Sequence, residues 1–259
     1  ILYDIMNRFR KENKSVIFIS HDLDEIMEVC DTLTVLRDGK IIRTFEKAEF
    51  EAGAIRASMI GRELQGDYYR SDFQASSQPE VALDVRNLVY EDRLKGISFQ
   101  VHKGEIVGIG GLAHCGMHSL GKVCFGALKP EEGSVTVEDG TIIDSPAIAM
   151  KKRVGYVSKD RDVESLCLNA SIEDNISIAG MSEFAINNFL ILKNREKKYV
   201  NHQIEELSIK CAGRDQSVSQ LSGGNKQKVV FGKWIGCGSE ILILDCPTRG
   251  VDIGVKQAM

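Results

Sequence analysis

The stretch that most constrains this chain is Leu221-Ser222-Gly223-Gly224-Asn225-Lys226-Gln227-Lys228, which runs straight into the amphipathic Val229-Val230-Phe231-Gly232-Lys233-Trp234-Ile235. A serine and two glycines ahead of a helix leave several backbone N–H groups free, and the helix dipole adds partial positive charge at the same place. The geometry is that of an anion cradle. Taken alone, these residues also make an ordinary turn and helix cap. Their downstream partner shifts the balance: Glu240-Ile241-Leu242-Ile243-Leu244-Asp245 reads as an apolar strand ending in aspartate, followed by Cys246-Pro247-Thr248-Arg249-Gly250-Val251-Asp252. A carboxylate at the carboxyl end of a buried parallel strand is where an α/β nucleotide site holds Mg²⁺.

Together the two stretches resemble the signature loop, Walker B strand and D-loop of an ATP-binding cassette. With Asn225 in the first and Pro-Thr-Arg-Gly-Val-Asp at 247–252, they look most like the ATPase subunits of bacterial sugar importers, in which two cassettes are fused in one polypeptide. The resemblance covers nearly the whole chain. It implies an α/β P-loop NTPase fold with a mostly parallel core sheet, an antiparallel β subdomain and a helical subdomain. It also implies ATP and Mg²⁺ as cofactors, with Ser222, Gly223, Gly224 and Gln227 facing the γ-phosphate held by an opposite cassette. Asp245 is then a weak Mg²⁺ ligand, Cys246 takes the place of the carboxylate that polarises water, and Asp252 belongs to the D-loop.

Composition sets the outer limits. The 259 residues are 43% hydrophobic and 27% charged, enough for one or two domains with a sizeable core. A net charge of -4 argues against a nucleic-acid binder, which needs a basic field. No apolar run approaches the roughly 18 to 20 residues that span a bilayer, so a cytosolic chain that reaches membranes only through a partner is expected. The cysteines at 30, 115, 124, 167, 211, 237 and 246 form no Cys-x-x-Cys pair and read as free thiols. The chain starts inside one helical pattern without a methionine and stops inside another, which reads as a piece of a longer protein.

In chain order, residues 1–13 pattern as a helix and 15–19 as a buried strand, with Ser20-His21-Asp22 at its carboxyl end. A short helix over 23–29, a hairpin turning at Asp38-Gly39 and a helix over 47–60 with a C-cap at Gly61 follow. This succession resembles the end of a cassette after its D-loop. It implies that His21 is the switch histidine, the catalytic residue that helps orient the attacking water. Residues 1–61 are thus the C-terminal part of a first cassette, 62–80 a polar linker, and 81–259 a second cassette through its Walker B strand and D-loop, lacking its C-terminal part.

Residues 81–86 and 96–101 read as antiparallel strands. Tyr90 between them is a packed surface tyrosine or, as the resemblance implies, the aromatic that stacks on adenine. Residues 105–109 read as a buried strand leading into Gly110-Gly111-Leu112-Ala113-His114-Cys115-Gly116-Met117-His118. A phosphate loop carries Gly, four residues, Gly, Lys and then Ser or Thr, the lysine meeting the phosphates and the hydroxyl binding Mg²⁺. Gly111 and Gly116 keep that spacing, but Met117 stands for the lysine and His118 for the hydroxyl, so this Walker A loop is degenerate. A shifted match ending at Gly121-Lys122 falls inside the helix expected over 117–125 and is rejected. Residues 153–157 read as a strand leading to the Q-loop region, where Lys159 occupies the place of the usual Gln or Glu. Residues 169–212 read as mainly helical, with the charged run 193–198 a solvated face.

Cassettes of this family pair head to tail, so each ATP lies between one phosphate loop and the partner's signature loop. Ser222, Gly223, Gly224 and His21 then serve one nucleotide, and Gly111, Gly116, Asp245 and Cys246 the other, giving one competent and one degenerate site. In such a cassette the switch-histidine strand lies between the phosphate-loop strand and the Walker B strand. Residues 16–19 have the right character to fill that gap, so the chain is expected to close as a circularly permuted cassette, within one copy or by exchange between two. The functional expectation is an energy-coupling ATPase subunit, peripheral at the cytoplasmic face of the membrane. Its partners would be membrane permease subunits and, indirectly, a soluble or lipid-anchored sugar-binding protein. A soluble cassette ATPase without a permease and a noncatalytic interaction module are the rival readings.

Overall fold

Most of the apolar periodicities above become elements at their expected places in a computed structural model, which describes residues 2–20, 23–37, 39–60, 77–112, 114–186 and 190–251. The described residues divide into two units, one built on 2–60 with Val251 and the other on 77–250. Most of the linker expected over 62–80 lies outside the described residues, as do His21 and Asp252.

The first unit contains α1 (Leu2–Lys11), α2 (Leu23–Val29), the antiparallel strands β1 (Thr32–Arg37) and β2 (Lys40–Glu46), and α3 (Ala52–Ile60). Its core is small: Leu23, Val35, Phe45 and Ile55 are buried together, with the Arg43 guanidinium 4.4 Å from the centre of the Phe45 ring. The helix expected over 47–60 is broken in two. Residues Lys47–Glu49 form a single 3₁₀ turn, and Glu51 restarts the chain by accepting hydrogen bonds from the backbone N–H groups of Gly53 (3.0 Å) and Ala54 (2.8 Å). A carboxylate at that point satisfies the orphan donors of a new helix.

The second unit has three parts. Strands β3 (Val81–Tyr90), β4 (Leu94–His102) and β5 (Glu132–Val137) form an antiparallel sheet in the order β4-β3-β5. Helices α4 (Met117–Cys124) and α5 (Pro146–Lys151) precede β6 (Val154–Val157), which pairs in parallel with the later β9 (Ile241–Leu244) in the register Val154↔Ile241 to Val157↔Leu244. Between them come α6 (Ile172–Ser177), α7 (Met181–Phe184), the two-residue strands β7 (Ala185–Ile186) and β8 (Leu190–Ile191), α8 (Lys193–Glu206) and α9 (Gly223–Gly236). The β7–β8 pair is a small departure from the helical expectation over 169–212. Ser171 opens α6 with a capping box to Asp174. Phe125 joins the layers, stacked on Tyr156 at 5.5 Å and edge-on to Trp234 at 5.6 Å, inside a core that includes Val154, Val157, Val229 and Val230.

Two expected strands do not form. Residues 105–109 join no sheet among the described residues, and Ile106 is 81% exposed. Residues 15–19 likewise pair with nothing among the described residues, with Ile17 and Ile19 each 91% exposed. The sheet centre is therefore open: a cavity of about 1030 Å³ separates residues 105–109 from β9, whose sole strand neighbour among the described residues is β6. A permuted closure, within one copy or by exchange between two, has to fix the backbones of residues 15–19 at about 1–2 kcal/mol each and close a long loop before the ladder hydrogen bonds accrue.

Candidate functional site

The α9 tip begins at Ser222, whose hydroxyl accepts from the Asn225 side-chain amide at 3.0 Å and caps the helix through the Asn225 backbone N–H. Asn225 in turn accepts from the Lys210 N–H at 2.9 Å, fixing the loop to the end of the preceding helical layer. Ser222 is exposed, and the amides of Gly223 and Gly224, in the first turn, have no helical acceptor. The tip can present serine hydroxyl and backbone N–H groups to an anion.

Arg161, which follows β6, lies across this tip. Its guanidinium donates to the Arg249 carbonyl at 2.7 Å and to Gln227 Oε1 at 3.3 Å. A Cβ on Gly223 would come within 2.9 Å of that guanidinium, so glycine there makes room for it. Gln227 is 2% exposed and holds Arg161 from inside, which corrects the expectation that it faces a phosphate. The signal was present in the sequence, because Gln227 shares a helical face with Val230 and Trp234. Arg249 also donates to Asp160 at 2.7 Å, tying the 246–250 turn to the residues after β6.

The second cluster sits where β6 and β9 end side by side. Gly116 adopts φ 95° as the N-terminal cap of α4, which places His118 in the first helical turn, near Asp245. His118 Nδ1 is 2.6 Å from Asp245 Oδ1, and Tyr156 donates its hydroxyl to Asp245 Oδ2 at 3.2 Å. Lys159 Nζ lies 3.1 Å from His118 Nε2. Burial first, and the Asp245 charge second, push the Tyr156 hydroxyl far above its ordinary pKa, so it stays protonated and donates. The same two causes raise the Cys246 thiol, which therefore does not replace a carboxylate as a base. Cys246 is also held at φ 48°, a left-handed conformation that costs a non-glycine residue roughly 1–2 kcal/mol.

Of the expected site residues, Gly116, His118, Lys159, Asp245 and Cys246 thus lie in one region, Gly111 stands in the loop before α4 with Cys115 as its neighbour, and Ser222, Gly223 and Gly224 form a separate tip. Met117 opens α4 and lines the cavity beside β9 without supplying charge. Tyr90 packs against the core of the β3–β5 sheet as a partly buried side chain. Lys122 pairs with Glu164 at 2.6 Å near the end of α4, away from the loop, as expected from rejecting the shifted match. Tyr156 and Arg161 were not singled out in the sequence; the parallel register of β6 and β9, which sets Tyr156 opposite Ile243, is what brings the first to Asp245. The residues do not fit the usual metal of such a site. The Asp245 oxygens are engaged by His118 and Tyr156, and His118 stands where the metal-binding hydroxyl is needed.

A capped glycine tip, a carboxylate ending a parallel strand and a glycine loop opening a helix define the class of α/β nucleotide-binding cassettes. Residues 94–249 match the family model described as ABC transporter, and the chain belongs to that family. It is 37% identical over 257 residues to the Clostridium tetani ribose import ATP-binding protein RbsA, covering 99% of this chain and 50% of the relative. The Bacillus subtilis protein of the same name is 36% identical, with 99% and 51% covered. The chain spans about half the length of these curated relatives. Among solved structures, cbiO1 from Clostridium perfringens, part of an ABC transporter complex, aligns with a TM-score of 0.55 at 28% identity over 69% of this chain and 70% of its own. The cassette MJ0796 bound to ADP and Pi gives 0.57 at 18% identity, covering 68% and 79%, a likeness of fold. No described helix is long and apolar enough to cross a membrane.

Proposed function

We propose that this chain is part of the ATP-binding, energy-coupling subunit of a bacterial sugar importer, in which ATP binding and hydrolysis by paired cassettes drive a membrane permease. The observation that carries the reading is the exposed Ser222 at the tip of α9, with backbone donors beside it and relatives named for ribose import over 99% of the chain. The subunit works at the cytoplasmic face of the membrane, bound to permease subunits that receive sugar from a separate binding protein. ATP closes the head-to-tail pair and its hydrolysis resets it.

The two nucleotide sites are unequal. Ser222, Gly223 and Gly224, with His21 as the catalytic residue, serve the competent one. Gly111, Gly116, Asp245 and Cys246 serve the degenerate one, where Met117 brings no charge and Cys246 no base. ATP hydrolysis by the intact subunit with its permease tests this. Ser222→Arg is expected to lower turnover by roughly 10²-fold or more, the scale of losing an anion-stabilising donor set, and Cys246→Ala by less than about twofold. Comparable losses from the two variants would contradict the asymmetry.

A further inference from the structure

Both oxygens of the Asp245 carboxylate, whose side chain is 8% exposed, find partners within the chain. His118 Nδ1 stands 2.6 Å from one and the Tyr156 hydroxyl 3.2 Å from the other, while the far ring nitrogen of His118 lies 3.1 Å from Lys159 Nζ. The direction of each proton follows by elimination. An ammonium group has only protons to offer, so His118 Nε2 accepts, and the ring carries its single N–H on Nδ1, aimed at Asp245. Lys159 therefore counter-charges Asp245 through a neutral imidazole.

This arrangement is incompatible with a metal at the same place. Mg²⁺ demands oxygen ligands in near-octahedral array at about 2.0–2.1 Å. Here a ring N–H and a tyrosine hydroxyl take up the two carboxylate oxygens instead, with an ammonium behind the ring. His118, Asp245 and Cys246 have donor atoms within 4.8 Å of one another, the makings of a site for a softer metal. A ligating imidazole gives its lone pair to the ion and its N–H to an acceptor behind it. At His118 the nitrogen facing Asp245 carries the proton, and the group behind the ring is a donor.

We propose that Lys159, acting through His118 on Asp245, takes the place of the metal, so that the site formed by Gly111, Gly116 and the start of α4 takes nucleotide phosphates free of divalent metal. The inference rests on reading that loop as a phosphate site. Lys159 supplies there the positive charge that Met117 lacks. A lysine ammonium is a compact point charge suited to phosphate oxygens, and it sits beside the first turn of α4, where helix N–H groups point outward.

The test is calorimetric titration of ATP into the chain, once with Mg²⁺ and once with EDTA. Affinities equal within about twofold support the proposal, and a loss of about tenfold or more on chelation overturns it. Lys159→Gln is expected to weaken metal-free binding by about tenfold, and undiminished affinity overturns it. Binding in neither buffer overturns the loop's reading as a phosphate site, and with it the nucleotide part of the inference. The metal-replacement part is read separately from ¹⁵N NMR of the His118 ring in the nucleotide-free chain. A neutral ring protonated on Nδ1, displaced by Lys159→Gln and unmoved by Mn²⁺ or Zn²⁺, is expected. Protonation on Nε2, or broadening by equimolar Mn²⁺, overturns it.

Discussion

Gly116 gives the sharpest quantitative expectation. Its φ of 95° lies in the left-handed region, and a Cβ there would stand 2.3 Å from the Arg93 carbonyl oxygen and 3.2 Å from a Leu94 methyl. The nearest obstacle is backbone, so it does not swing aside as a long side chain does. Gly116→Ala therefore carries the left-handed penalty of about 1–2 kcal/mol and a forced shift of packed structure worth about 1–3 kcal/mol. Gly110→Ala in the same loop is the control, because a Cβ there meets nothing within 4 Å and no left-handed backbone is involved. It should change stability by no more than about 0.5 kcal/mol. Trp234, the single tryptophan and 6% exposed, reports unfolding of this unit by fluorescence in urea. With an m-value of roughly 2–3 kcal/mol/M, the Gly116→Ala midpoint should fall by roughly 1–2 M. A midpoint indistinguishable from that of Gly110→Ala would refute the steric reasoning.

Three further outcomes follow from named groups. Cys115, Cys167 and Cys246 are exposed and should react with a maleimide in the native protein, whereas Cys124, buried and with its thiol pushed up to about 12, should react only on unfolding. Burial lowers the pKa of Lys233, whose ammonium donates to the Ser165 carbonyl at 2.6 Å. The folded state thus disfavours its charge, and stability should rise as pH climbs from that lowered value to the ordinary lysine value of about 10.4; Lys233→Met should lack the rise in pH-dependent urea unfolding. Asn225→Ala removes the hydrogen bonds to Ser222 and Lys210, and should lower the urea unfolding free energy by about 1–2 kcal/mol.

What could be read from the sequence depended on how local its cause was. The α9 helix was legible because its cap, its glycines and its apolar face lie within one run, and β9 because Ile241 to Leu244 are continuously apolar. The break before α3 was not, since Glu51 caps from a position with no helical periodicity of its own. Residues 15–19 and 105–109 have strand-like side chains, yet a strand in the middle of a parallel sheet exists only when neighbours flank it on both edges, which composition cannot report. The Lys159–His118–Asp245 chain was visible only in pieces: 127 positions separate His118 from Asp245 and 41 separate it from Lys159, and the substitutions from the family pattern gave no hint that they touch. Tyr156 was hidden for the same reason, although the register of β6 with β9 makes its hydroxyl the natural neighbour of Asp245.

The open face of β9 has a practical consequence. Leu244 is 46% exposed and shares a cavity with Ile106, Val107 and Ile109, so water meets greasy side chains along a strand edge that is unpaired among the described residues. Such a rim invites strangers to zip onto it, and at high concentration the purified chain should stick to itself there unless another polypeptide stretch is supplied to lie along the rim.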